Sequence, residues 1–122
     1  MVPLNSGILA IGAHPDDVEY GCLGTLLLAR KHCRMAVCVL TGGGAIREEE
    51  TLAARHGVGI DQVEVLHFPD GRLCATPDTV AAVERSLERV QADTVLMPTR
   101  WDTHQDHVAA DQITMAACRR RP

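Results

Sequence analysis

Apolar positions along this chain gather into short unbroken runs, separated by longer stretches of mixed character. Residues 7–11 (GILAI), 35–40 (MAVCVL) and 94–97 (TVLM) are such runs. Runs of this length, apolar at successive positions, predict strands covered on both faces, as in a parallel sheet. Residues 63–68 (VEVLHF) alternate instead and end at the turn Pro69-Asp70-Gly71, which predicts another strand. The intervening stretches carry helical features. Residues 24–32 (GTLLLARKH) and the polar segment 47–58 (REEETLAARHGV) predict one helix each. Thr76 followed by Pro77 supplies an N-cap with proline at the first helical position. Val80, Val83, Leu87 and Val90 then share one helical face. From Asp106, the segment DHVAADQITMAACRR predicts a last helix.

Strand and helix therefore alternate with short links. The pattern predicts an α/β fold with a parallel sheet and right-handed crossovers. No internal repeat, low-complexity tract or linker interrupts it, so residues 1–122 are expected to form one domain. In the common strand order 3-2-1-4, strands 1 and 4 are neighbours and the sheet edge beyond strand 4 stays open. An open edge predicts a tendency to self-associate into a homo-oligomer, or a larger domain of which this is the front part.

Composition removes several function classes. The chain has 122 residues, 46% of them hydrophobic and 23% charged, which is ordinary for a globular protein. Aromatic residues make up only 2%, too few for the base-stacking platforms of single-strand binders. A formal net charge of −4 argues against a nucleic-acid partner, and the basic triplet at 119–121 is too short to reverse that. Five cysteines without a C-x-x-C spacing give neither a disulfide framework nor a zinc ribbon. They are expected to be reduced and mostly buried, in a cytoplasmic protein. No basic segment leads into a long apolar stretch at the N-terminus, and no run is long enough to span a membrane, so no membrane partner is expected.

Candidate chemistry sits after strands 1 and 4. The first is followed by His14-Pro15-Asp16-Asp17 and the fourth by Asp102-Thr103-His104-Gln105-Asp106-His107. Open α/β sheets bind ligands beyond the carboxyl ends of strands, near the point where strand order reverses. The topology thus brings together two segments far apart in sequence. His14, Asp17 and His107 would form a set of two imidazoles and one carboxylate, suited to a catalytic zinc that needs three protein ligands and an open position. Asp16 would then be free to act as base on the attacking water. Taken alone, HPDD could equally be an N-cap turn, and an H-x-x-H pair is a weaker signal still. Gly42-Gly43-Gly44 lacks the G-x-G-x-x-G spacing and a following Lys-Ser or Lys-Thr, and is expected to be a flexible substrate loop. His32, His56 and His67 have no partner motif and are expected to be structural or exposed, and Cys22 to be packing.

These residues resemble those of the LmbE-like or PIG-L-like zinc-dependent N-deacetylases of sugar conjugates. AHPDDVEYGCLGTL is similar to the family's A-H-P-D-D-x-E-x-G-x-G-G-T, with Cys22 and Leu23 at relaxed positions. DTHQDH resembles its H-x-D-H, and REEE followed by FPDGRL resembles the connecting segment. The resemblance implies a Rossmann-like three-layer fold with a mainly parallel sheet. It implies metal ligation by His14, Asp17 and His107 and general-base work by Asp16. By the same resemblance, His104 would stabilise the oxyanion or protonate the leaving amine, and Asp106 would orient a histidine. Arg47 matches a substrate-contacting arginine, and Glu19 a structural glutamate. The implied cofactor is Zn2+, with another divalent ion such as Fe2+ as the alternative. The implied reaction removes an N-acetyl or N-acyl group from an amino sugar or its conjugate, such as an N-acetylglucosamine derivative. Family members continue beyond H-x-D-H with further strands, so the chain corresponds to the N-terminal portion of the usual domain.

Two other readings compete: a catalytically silent module that keeps the metal as a structural element, and an Fe(II) oxygenase with two histidine ligands and one carboxylate. The second is disfavoured because such sites sit in β-rich barrels.

Overall fold

The computed structural model describes residues 6–42, 44, 49–50 and 59–119. Its elements are β1 (Gly7–Gly12), α1 (Asp17–Ala29), β2 (Arg34–Thr41), β3 (Gln62–Phe68), α2 (Pro77–Val90), β4 (Thr94–Leu96) and α3 (Gln105–Cys118). The four strands form one parallel sheet in the order β3-β2-β1-β4. Ile8 pairs with Met35 on one side and Thr94 on the other, so β1 is central. Its six residues are all buried, as its unbroken apolar character predicts.

Side chains alternate across the sheet and build a core on each face. Leu9, Ile11, Ala36, Cys38 and Leu40 pack beneath Val83 and Leu87 of α2 and Ala110 and Ile113 of α3. Ile8, Ala10, Met35, Val37 and Val39 face the other way, against Val18 and Leu26 of α1. The result is a three-layer α/β sandwich of the Rossmann-like kind.

Local chemistry sets the helix ends. Thr76 and Thr79 form a reciprocal cap at the start of α2, with Thr79 N–H donating to Thr76 Oγ1 at 3.2 Å and Thr76 N–H to Thr79 Oγ1 at 2.9 Å. The first helix departs from the expectation of 24–32: it begins at Asp17 and ends at Ala29. Gly21 and Gly24 disfavour helix by propensity, and Cys22 leaves the helical region at φ −146°, yet the segment remains helical across this kink. Burial of Val18 and Leu26 against the sheet outweighs the glycines. The expected helix at 47–58 lies outside the described residues except at 49–50, which are helical.

The cysteines also depart in part from expectation. All five are thiols, but only Cys38 is buried; Cys74 is exposed and the others are intermediate. A sheet with a single layer of short helices on each face leaves the flanking positions half open.

Candidate metal centre

The chain turns sharply after β1. A Cβ on Gly12 would come within 3.2 Å of His14 O and 3.3 Å of Val18 Cγ2, so glycine suits that close approach. Thr41, at the end of β2, pins the turn by donating from both its N–H and its Oγ1 to Ala13 O, at 3.0 and 2.8 Å. His14 N–H donates to Asp17 Oδ2 at 2.8 Å. Asp16 occupies the N-cap of α1 in the left-handed region, at φ 81°, and its side chain makes no capping hydrogen bond. Its carboxylate is exposed.

The loop after β4 delivers the second group. His107 Nε2 lies 3.2 Å from Asp17 Oδ2, and His14 Nδ1 lies 3.6 Å from the same oxygen. One ligand atom from each of His14, Asp17 and His107 falls within 4.8 Å of the others. Two donors on a tetrahedral zinc, each about 2.0–2.2 Å from it, stand roughly 3.3 Å apart. The donor set and its spacing therefore fit a divalent ion.

Both imidazoles are held from behind. His14 Nε2 is 2.8 Å from Asp106 Oδ2 and 3.1 Å from Asp70 Oδ1. His107 Nδ1 is 3.0 Å from Asp102 Oδ2. His104 caps α3: its Nδ1 accepts from Asp106 N–H at 3.1 Å, which requires the ring proton on Nε2 when neutral. The His104 ring stacks on His107 with centroids 4.9 Å apart and meets His14 edge-on at 4.7 Å.

Asp106 is fully buried and anchors the loop after β3. Gly71 N–H donates to its Oδ2 at 2.7 Å and Leu73 N–H to its Oδ1 at 3.0 Å. Gly71 reaches this contact with φ 78°, a backbone region that suits glycine. Burial alone would raise the Asp106 carboxyl, but bonds from His14, Gly71 and Leu73 outweigh it and leave the pKa below the usual carboxylate value. Asp102 is lowered too, first by the His104 backbone N–H and then by the His107 ring. His14, His104 and Asp106 form a second possible ligand cluster. It suits an ion less well, because Asp106 is fully buried, accepts two backbone N–H groups and faces His14 Nε2, and its own N–H occupies His104 Nδ1.

The structure thus brings together His14, Asp17, His104, Asp106 and His107; Asp16 precedes Asp17 and is exposed. Arg47 lies outside the described residues. Two carboxylates that contact the histidines have no assigned part in the sequence motifs. Asp70 arrives from the turn after β3, and its only sequence signal is a carboxylate at the end of a strand. Asp102 is visible in the sequence only as one member of an acidic and histidine-rich segment. A groove of about 750 Å3 opens beside the cluster between α1 and β4, lined by Asp17, Tyr20, Thr25, Val95, Met97 and His107.

Residues 9–118 match the family described as PIG-L, GlcNAc-PI de-N-acetylase. The chain belongs to this family. The Escherichia coli K12 protein YaiS, named an uncharacterized deacetylase, is 40% identical over 129 residues, which cover 95% of this chain and 70% of YaiS. The solved structure of the conserved protein TT1542 from Thermus thermophilus is 34% identical with a TM-score of 0.85, covering 92% of this chain and 55% of TT1542. GalB, the 4-carboxy-2-hydroxymuconate hydratase of Pseudomonas putida KT2440, is 25% identical with a TM-score of 0.83, again over 92% and 55%. The chain spans about half the length of these solved relatives. The fold of this PIG-L family member is thus shared with a hydratase, so the fold by itself does not choose the reaction.

Proposed function

We propose that the protein is a metal-dependent hydrolase that removes an N-acetyl, or other N-acyl, group from an amino sugar or its conjugate, such as an N-acetylglucosamine derivative. The observation that carries this reading is the convergence of His14, Asp17 and His107 within 4.8 Å, with Asp16, next to Asp17 in the chain, exposed and making no capping bond. Membership of the PIG-L family supports the choice of an amide on a sugar.

His14, through Nδ1, Asp17, through Oδ2, and His107, through Nε2, would hold the ion, zinc or another divalent metal such as Fe2+. When bound, such an ion polarises the amide carbonyl and acidifies water. The remaining work falls to the chain. Asp16 takes the proton of the attacking water, since capping leaves its carboxylate unspent. His104, with its proton on Nε2, donates to the developing oxyanion or to the leaving nitrogen. Asp106 holds His14 in the tautomer that leaves Nδ1 free, and Arg47 contacts the substrate on the strength of the sequence match. Water attack breaks the C–N bond, giving a carboxylic acid and the free amine of the sugar. We place the protein in the cytoplasm as one domain over 1–122, a setting that its five thiols support. We also infer self-association through the exposed edge of β4.

The test is acetate release from N-acetylglucosamine conjugates, measured with and without chelation. Release that stops on chelation and returns with zinc supports the proposal. GalB gives one competing outcome: hydration of a substrate of the carboxy-hydroxymuconate kind, with no amide cleavage. Tight metal binding with neither activity would favour the silent module.

A further inference from the structure

We propose that Asp102 is a positioning residue that fixes the tautomer of His107 and so pre-sets its metal-binding nitrogen. This rests on the metal-binding reading above, and it assigns work to a residue that neither the motif nor that reading uses.

The geometry is specific. Asp102 Oδ2 lies 3.0 Å from His107 Nδ1, and Asp102 Oδ1 accepts the His104 backbone N–H at 2.8 Å. Both oxygens are thus engaged, which stops the carboxylate from rotating. An ionised carboxylate only accepts hydrogen bonds, so the 3.0 Å contact puts a proton on Nδ1. In the neutral ring the lone pair is then on Nε2, facing Asp17 Oδ2 at 3.2 Å. Two acceptors facing each other at that distance repel, unless a cation lies between them. Asp102 therefore makes a gap that favours a positive charge. Asp106 does the same for His14 from the opposite side, at 2.8 Å from Nε2. The two outer carboxylates come from different elements, one from the loop before α3 and one from α3 itself. A single carboxylate also ties His104 to His107, so the spacing between these histidines is set before any ion arrives. Outer-shell partners of ligating histidines commonly change metal affinity by about 10–100-fold.

The experiment compares the wild type with Asp102→Ala and Asp102→Asn. Zinc affinity is read by competition with a chromophoric chelator, and the His107 ring by 15N NMR in the metal-free protein at a pH where the ring is neutral. The expected result for Asp102→Ala is a loss of about 10–100-fold in zinc affinity, with the His107 signals moving from Nδ1–H to a mixture of tautomers. Asparagine keeps one oxygen for the His104 N–H and turns its amide N–H toward His107 Nδ1, so it should drive the ring proton onto Nε2 and lose at least as much zinc affinity as alanine. It also serves if the alanine variant does not fold, as judged by circular dichroism. Wild-type zinc affinity and unchanged ring signals in both variants would overturn the role of Asp102 while leaving the metal site intact. A wild-type protein that takes up no zinc would overturn the metal reading and this one with it.

Discussion

Among the described residues, the carboxylate networks of Asp106 and Glu64 differ in what they leave unsatisfied. Around Asp106, two backbone N–H groups and an imidazole are tied down, and the tie leaves other ring nitrogens and Asp17 facing one another. Around Glu64 on β3, Ser86 Oγ and Arg89 Nη1 of α2 donate to the two carboxylate oxygens, with the Cys38 thiol beside them. The Glu64 network closes on itself. Its two carboxylate oxygens are each taken up by a donor from α2, so it fastens α2 to the sheet beside a cavity of about 270 Å3 and holds no cluster of facing metal-ligating atoms among the described residues. The lesson is that polar density alone does not mark a site. What marks one is a set of lone pairs turned toward each other and toward solvent.

Substitutions can break or sharpen that contrast. The largest effect is expected at Asp17 and Asp16. Asp17→Asn should abolish metal uptake, whereas Asp16→Asn should keep the metal and lower turnover by about 10²–10⁴, the range for a lost general base. Metal content measured beside acetate release checks both, and identical behaviour of the two variants would refute the division of labour.

A smaller effect is expected at Glu64, where function should not change at all. Burial raises this carboxyl, but Ser86 and Arg89 outweigh it and the pKa is lowered. A depressed folded-state pKa contributes stability above the unfolded value, about 4.3, and that contribution is lost as pH falls through the folded value. Glu64→Gln should therefore cost about 1 kcal/mol at neutral pH, and the difference from wild type should vanish in acid. Denaturant melts at several pH values measure it.

The smallest effect belongs to Cys38. Burial pushes its thiol up to about 12. A thiol reagent should modify the exposed Cys74 in the native protein and reach Cys38 only on unfolding, which mass spectrometry of labelled peptides shows. Rapid native labelling of Cys38 would mean that the face beneath α2 opens.

Much of the fold was legible because strands covered on both faces are written as unbroken apolar runs. β1 and β2 are the clearest cases, and the sheet adopts the common order 3-2-1-4. The start of α1 was hidden because its evidence is tertiary: Val18 and Leu26 dock on the sheet, while the local sequence offers glycines. The two halves of the candidate site were legible as HPDD and HQDH after β1 and β4, which are neighbours in the sheet. Asp70 and Asp102 were not, since their roles depend on where two turns point in space. The burial of Cys38 and the exposure of Cys74 depend likewise on which face each meets.

Asp16 sits in a left-handed backbone conformation that glycine adopts freely and an aspartate holds at a cost on the order of 1 kcal/mol. On the role proposed for Asp16, stability and chemistry pull this position in opposite directions. Asp16→Gly should raise the melting temperature while silencing the reaction. A gene copy relieved of catalysis would gain by losing this aspartate early, while His14 and Asp106, which are built into the packing, would persist. If Asp16 is the base proposed above, the residue at position 16 records whether selection still acts on turnover.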